Sequence, residues 1–476
     1  MKKKRNMMLQ NLVVDAYAAG GKSIARLDGK VVFIEGAVPG DVVDVRLTKN
    51  KKDWAEGKAI HFIQYSKDRV VPFCKHFGVC GGCKWQMLPY EKQLHYKQQE
   101  VSDQMKRIGK IILPEMPPAI GSGATKSYRN KLEFTFSSKK YYTQEEIDSM
   151  PMHEDGPRGL PSIPALGFHV PGSFDKVIDI QECHLQIPLN NEIRNAVRDY
   201  ALKHEISFYD IRQHTGLLRN LMTRLCTTGD NMVNLVFGEF DKQVLEGIME
   251  FIKNQFPQIT SLYYTINKKM NDSLHDQQPI LYHGNGYVIE QLGILKFKIG
   301  PKSFFQTNTK QAEVLYGIVK QFAELKGHET LYDLYCGTGS IGIFLSDQVE
   351  KVIGVEMIEE AINDAKENAA LNGILNTKFF VGDVAAVCTD EFFLEHGRPD
   401  VIITDPPRVG MHEKLVKQIL FMEAPIVVYV SCNPSTQARD LQLLSEKYEV
   451  TAIQTVDMFP HTHHIENVVQ LKLRHS

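Results

Sequence analysis

No stretch of this sequence approaches the ~20 consecutive apolar residues that a membrane-spanning helix needs. The amino terminus, MKKKRNMMLQ, also lacks the apolar core of a secretory signal. Together these absences predict a cytoplasmic protein with no membrane partner. There is no internal repeat and no low-complexity tract, which sets aside solenoids and linker-like chains. Net charge is nearly absent too, at -2, but it is unevenly spread. Residues 1–110 carry 21 Lys and Arg against 11 Asp and Glu, so a basic front precedes an acidic remainder. Such a front suits a polyanion, although solvated lysines explain it equally well. Eight cysteines in 476 residues are too few for a disulfide scaffold in a reducing compartment. They read as metal ligands, nucleophiles or core residues.

What is present divides into three parts: residues 1–68, 69–286 and 287–476. From Leu12 to Phe62, short β-type runs alternate with turn signals at Gly20-Gly21, Asp28-Gly29, Pro39-Gly40 and Lys49-Asn50. This predicts a small OB-like β-barrel, with Lys49, Lys51, Lys52 and Trp54 on one loop placed for phosphate contact and base stacking. The middle part opens with Cys74-x5-Cys80-Gly-Gly-Cys83. Three close thiols with a remote fourth, for which Cys183 is the candidate, describe a four-cysteine site. A 4Fe-4S cluster fits that spacing better than zinc, which favours paired Cys-x2-Cys knuckles. Lys97, Lys106 and Arg107 lie on a helical stretch from Glu91 and would face solvent or form a basic face. Further on, strands near 128–134, LGFHV, VIDIQ, 220–226 and 231–236, with helices near 191–203 and 242–254, predict an α+β domain. Gln144 to Ser162 reads as an exposed loop.

The third part has an α/β rhythm. LYDLY runs into Cys336-Gly337-Thr338-Gly339-Ser340, VIGVE ends in Glu356, and FFVGD ends in Asp383. Ligands of open α/β sheets sit beyond the strand carboxyl ends, so these sites outline an adenosyl pocket: backbone at the glycines, ribose hydroxyls on Glu356, the adenine amino group on Asp383. The glycines also spell Gly337-x-Gly339-x-x-Gly342, so they leave NAD open as a competitor. VIITD then leads into Asp405-Pro406-Pro407-Arg408, and IVVYVSCNP delivers Cys432 to a strand end. Asn433-Pro434 stops that strand. A last strand begins at Glu466.

GPKSFFQTN, DLYCGTGS, DPPRVG, SCNPST and MFPHTHHIE, in that order behind a TRAM-like front and a cysteine triad, resemble the RNA 5-methyluridine methyltransferases. Within them the likeness is to the iron-sulfur, rRNA-modifying branch. The resemblance implies a multidomain chain: a TRAM barrel, a central α+β domain with a four-cysteine cluster, and a seven-stranded Rossmann-like methyltransferase domain. It implies S-adenosylmethionine as methyl donor, bound by Gln306, Tyr335, Glu356 and Asp405, with Asp383 added by the strand-end argument. Its nucleophile falls on Cys432, its base on Glu466, and its cluster ligands on Cys74, Cys80, Cys83 and Cys183. Phe304 and Phe305 would receive the flipped base or pack in the core. Ser340 departs from the Asn of some relatives. The expected substrate is 23S rRNA ahead of tRNA, and the expected state a monomer. Two other readings stand beside this one, a DNA cytosine-C5 methyltransferase and a non-catalytic RNA-binding assembly factor. Motif order, with Cys432 in Ser-Cys-Asn-Pro rather than a Pro-Cys loop, weighs against the first. The pairing of Cys432 with Glu466 weighs against the second.

Overall fold

The computed structural model describes residues 7–150 and 160–474. Strands β1 (Met8–Tyr17), β2 (Ser23–Leu27), β3 (Lys30–Glu35), β4 (Val42–Asn50) and β5 (Trp54–Gln64) close into a barrel in the order β1-β2-β3-β5-β4. Alternate residues point inward, so Leu12, Val14, Ala25, Val32, Ile34, Val43, Val45 and Ala55 fill the lumen. Gly57 is required by this closure, because a Cβ there would sit 2.7 Å from the Arg46 carbonyl. The expected loop of lysines with Trp54 is differently built. Lys49 ends up in β4, paired with Glu56 at 3.1 Å, while Trp54 opens β5 and packs edge-on against Phe33.

The second sheet joins β6 (Lys131–Ser137), β7 (Ala165–Val170), β8 (Ser173–Asp179), β9 (Leu218–Leu225), β10 (Asn231–Phe237), β11 (Ser261–Ile266) and β12 (Ile280–Gly284). Their order is β12-β11-β10-β9-β6-β7-β8, antiparallel except for β10 and β11. Helices Pro188–Lys203 and Lys242–Gln255 lay Ile193, Val197, Leu245, Ile248 and Ile252 on it. The segment read as a loop contains a short helix, Gln144–Asp148, held by a capping box between Thr143 and Glu146. Residues 151–159 of that expected loop lie outside the described residues. A hairpin of β13 (Val288–Leu292) and β14 (Leu295–Ile299) follows.

The third sheet contains β15 (Thr330–Leu334), β16 (Lys351–Glu356), β17 (Thr377–Val381), β18 (Val401–Thr404), β19 (Ile426–Ser431), β20 (Tyr448–Val456) and β21 (Glu466–Leu473). They run β17-β16-β15-β18-β19-β21-β20, with β21 antiparallel to both neighbours and the first five strands parallel. The strand order reverses at β15 and β18, which opens a crevice at their carboxyl ends.

This third layer recruits an early part of the chain. Helix Tyr90–Gln104 continues as a π-turn, Met105–Gly109, and buries Val101 and Met105 against Tyr429, Ala438 and Leu441. Ile120 then bonds the Thr455 carbonyl and receives the Asp457 N–H, at 2.9 and 2.8 Å. Lys97 therefore departs from the solvent-facing expectation: it is wholly buried, 2.7 Å from an equally buried Asp457. Among the described residues no helix is long and apolar enough to cross a membrane.

Candidate active site

The β-branched run of β19 ends at Ser431, and Asn433 caps the next helix, Pro434–Leu444, by accepting the Ser435 N–H at 3.1 Å. Cys432 is thereby held, half-buried, between a strand end and a helix start. The same helix grips the Asp405–Gly410 loop. Asn433 and Thr436 both donate to the Arg408 carbonyl, at 2.9 and 3.2 Å, and Asp440 accepts from Met411 N–H and the Tyr429 hydroxyl, each at 2.8 Å. Gly410 needs its positive φ of 77°, and a Cβ there would meet Asp440 at 2.7 Å.

Glu466 arrives from the adjacent strand. Ser431 of β19 pairs with Asn467 of β21, so Cys432 and Glu466 each stand one step beyond that pair, at the same sheet edge. Asn467 is locked behind them by Gln437 at 2.8 Å and Thr455 at 3.2 Å. Burial pushes the Cys432 thiol up to about 11, Glu466 and Asp405 adding to it and Arg408 opposing it. Glu466, 6% exposed, is held well above the carboxylate range by burial and by Asp405, against Arg408 and Lys97. Burial alone lifts Asp405 to about 7. Burial thus favours the protonated form of all three groups, and Arg408 is the exposed cation that favours the thiolate. Arg408→Ala is expected to slow alkylation of Cys432 at pH 8 roughly three- to tenfold, since one pKa unit is tenfold in thiolate. Mass spectrometry of the Cys432 peptide measures it; an unchanged rate would remove Arg408 from that role.

Tyr335, Glu356 and Asp383 converge as expected, lining one recess at the ends of β15, β16 and β17 with a volume of about 60 Å³. Tyr335 takes a left-handed conformation, φ 60°, that turns the chain into Cys336-Gly337. Glu356 receives Gly337 N–H at 3.3 Å and Ile358 N–H at 3.1 Å, while Asp383 caps the helix Val384–Val387. Gln306 and Asp405 do not line this recess. Gln306 is buried in the loop before helix Thr309–Ala323, and its carbonyl accepts from Asn130 at 3.1 Å. The loop reaches the glycine turn through Phe304, whose carbonyl faces the Thr338 hydroxyl at 3.4 Å. Of the two aromatics expected to receive a base, Phe305 is core, packed on Phe297. Phe304 is 70% exposed.

Two polar groups beneath the glycine turn were not singled out from the sequence. Asp333, in β15, accepts Gly342 N–H at 2.8 Å through one oxygen, and its other oxygen is buried without a partner. Burial lifts its carboxyl to about 7. The acid one step before the Leu-Tyr-Cys-Gly run was the available signal. Tyr316 meets the Ser340 hydroxyl at 2.8 Å; nothing in the sequence announces that contact.

Cys74, Cys80, Cys83 and Cys183 come together on the wall of one cavity of about 270 Å³, beside Arg129, Thr462 and His464. All four are free. Burial raises each thiol, Cys80 to about 11 and Cys83 to about 12; neighbouring cysteines add to the effect at Cys80, Cys83 and Cys183, and Glu182 at Cys74. Among the described residues, no three His, Cys, Asp or Glu side chains are grouped to hold a metal ion. The four-cysteine site expected from the sequence is therefore brought to one cavity without being drawn together as a metal-holding group among these residues.

Two family profiles match the chain: one described as tRNA (Uracil-5-)-methyltransferase over residues 280–474, the other as TRAM domain over residues 11–60. An uncharacterized RNA methyltransferase of Bacteroides thetaiotaomicron is 51% identical over 96% of this chain and 100% of its own. Another, of Porphyromonas gingivalis, is 49% identical over 95% and 98%. Among solved structures, the Pyrococcus abyssi tRNA (uracil-54, C5)-methyltransferase in complex with S-adenosyl-L-homocysteine aligns with a TM-score of 0.73. It is 27% identical and covers 97% of this chain and 100% of its own.

Proposed function

Since the chain belongs to the family of RNA (uracil-5-)-methyltransferases, we propose that it methylates C5 of a uridine in RNA with S-adenosylmethionine as donor. The observation that carries this reading is the placement of Cys432 and Glu466 on adjacent strand ends beside Asp405 and Arg408. Uracil C5 is too weak a nucleophile to accept a methyl group unaided. Cys432, its proton first lost to solvent with the help of Arg408, adds as the thiolate to C6, and the electron pair displaced onto C5 and O4 makes C5 a competent carbon nucleophile. When bound, S-adenosylmethionine supplies the methyl group from its sulfonium. Tyr335, Glu356 and Asp383 would hold its adenosyl part, and Gln306 and Asp405 the part nearer the reacting centre. The recess at the ends of β15, β16 and β17, with the carboxylates of Glu356 and Asp383 on its wall, and the orphaned Asp333 oxygen beneath the neighbouring glycine turn fit a ligand with hydroxyl and ammonium donors. Glu466 then takes the C5 proton, and the Cys432–C6 bond breaks as the C5–C6 double bond returns. The uridine must leave its stack to reach Cys432, and exposed Phe304 is a surface on which it can rest.

For the substrate we favour 23S rRNA, on the four-cysteine cavity behind the TRAM barrel. The whole-chain likeness to a tRNA enzyme supports tRNA as the second reading. The four thiols on one cavity suit a 4Fe-4S cluster by their number and by the Cys74-x5-Cys80-x2-Cys83 spacing, and Cys74, Cys80, Cys83 and Cys183 would hold it. Such a cluster would brace the loop of His464 and Thr462. Anaerobically purified protein, incubated with labelled S-adenosylmethionine and separate unmodified rRNA and tRNA pools, is expected to place 5-methyluridine in the rRNA pool, read by nucleoside mass spectrometry. Label in tRNA alone would transfer the assignment to the second reading. Label in neither would leave a non-catalytic RNA-binding factor. The same preparation should contain iron and acid-labile sulfide in near equal amounts.

A further inference from the structure

The connection between β20 and β21 carries Glu466 at its far end, and it is fastened from outside the sheet. Lys97 Nζ donates to Asp457 Oδ1 at 2.7 Å and to the Phe459 carbonyl at 3.3 Å. Asp457 also accepts the Phe459 N–H at 2.9 Å and the Tyr90 hydroxyl at 3.0 Å. Four residues on from Asp457, His461 is held by Gln93, whose side chain accepts its N–H at 2.9 Å. Burying an ion pair is costly, and apolar side chains of the same volume often stabilise a fold as well. A lysine retained in such a place calls for another use.

Strand register supplies one. Val456 pairs with Glu466, so Asp457 stands one residue from the point directly opposite the base. Opposed residues of an antiparallel pair have Cα atoms about 4.5–5.5 Å apart, which brings the Lys97–Asp457 pair into the same dry compartment. The groups facing Glu466 are Asp405 and Cys432 from neighbouring strand ends, Tyr316, and the cations Arg408 and Lys97. Those facing Lys97 are Asp457, Glu100 and Glu466, with the imidazoles of His461, His463 and His464 beyond. Arg408 is exposed and lies 3.0 Å from His464, whereas Lys97 is wholly buried: burial works against its charge, and the ion pair with Asp457 is the main support for it. Burial and Asp405 both favour a protonated Glu466, yet a base must be ionised when the proton is taken.

We propose that Lys97 is a positioning residue for methyl transfer: through Asp457 it fixes the turn that presents Glu466, and its charge supports the ionised carboxylate. This rests on the assignment of Glu466 as the base. Lys97→Met is expected to slow C5 deprotonation roughly tenfold, one pKa unit on the base being tenfold in its ionised fraction. Three signatures follow: more protein trapped as a covalent complex with methylated RNA, a larger rate effect of deuterium at uridine C5, and an acid limb of turnover moved to higher pH. Lys97→Arg should return all three towards the parent. Lys97→Gln retains a donor for Asp457 while removing the charge, and decides the matter if the methionine variant does not fold. Folded Met and Gln variants that lose turnover with none of the three signatures changed would reduce Lys97 to a structural lysine and overturn the proposal. Glu466→Gln separates the two levels. If it traps no complex, the base assignment itself fails; if it traps complex while the Lys97 variants behave as the parent, only the role of Lys97 is lost.

Discussion

Replacing Cys432 with alanine is expected to abolish methyl transfer, a fall of at least about 10⁴-fold of the kind seen when a nucleophile that acts as a unit with its partners is removed. Among the other cysteines, Cys74, Cys80, Cys83 and Cys183 line a different cavity. Cys336 and Cys388 are buried in the cores, and Cys226 is closed off beside Glu290. Cys432 is itself only half-buried and makes no cap or ladder contact, so the variant should melt within a few degrees of the parent. RNA affinity, measured by filter binding, should remain within about twofold, because the contacts that position RNA are not made by one thiol. The decisive measurement is 5-methyluridine formed per enzyme over a long incubation. Product at more than a trace would end the covalent mechanism.

Glu466→Gln should produce the opposite kind of failure. Addition of Cys432 and methyl transfer proceed, but the C5 proton has no acceptor, so the chain remains attached to methylated RNA. A denaturing gel should show a protein–RNA complex approaching one equivalent while turnover drops about 10²–10⁴-fold. Stability provides an independent check. Because the Glu466 carboxyl is held above its ordinary range when folded, the native state binds that proton more tightly than the unfolded chain. The penalty for ionising it is therefore absent at acid pH and grows as pH rises past the normal carboxylate range. The glutamine variant should melt above the parent at pH 8, and the two should converge near pH 4. A gap that widened on acidification would contradict the buried, repelled state of Glu466.

Much of this site was legible because it lies at strand ends. A β-branched run followed by Asn-Pro marks a carboxyl terminus whatever the fold around it, and that locates Cys432. The same reasoning located Glu356, Asp383 and Asp405. Which of Phe304 and Phe305 enters the core was not legible, because both lie in a loop between a strand and a helix, where no side-chain periodicity applies. Lys97 was illegible for a deeper reason. Helical periodicity says which residues share a face, but not what covers it, and the partner of this lysine lies 360 residues away. Asp333 was hidden by its setting, an acid inside a strand that otherwise reads as apolar. The four cysteines were grouped by spacing and a choice of loop, and the fold does bring them to one cavity.

The docking of helix Tyr90–Gln104 onto β20 and helix Pro434–Leu444 has a bearing on synthesis. Val101, Met105 and the charge of Lys97 leave the ribosome early, while the surfaces that cover them are made from residues more than 300 positions later. Closing so long a loop adds little free energy, since each doubling of length costs only about 0.6 kcal/mol. Time is another matter: at about 5–20 residues per second the helix waits tens of seconds with an apolar stripe uncovered. The nascent chain is thus an intermediate that chaperones can bind, and the catalytic turn is among the last parts to become native.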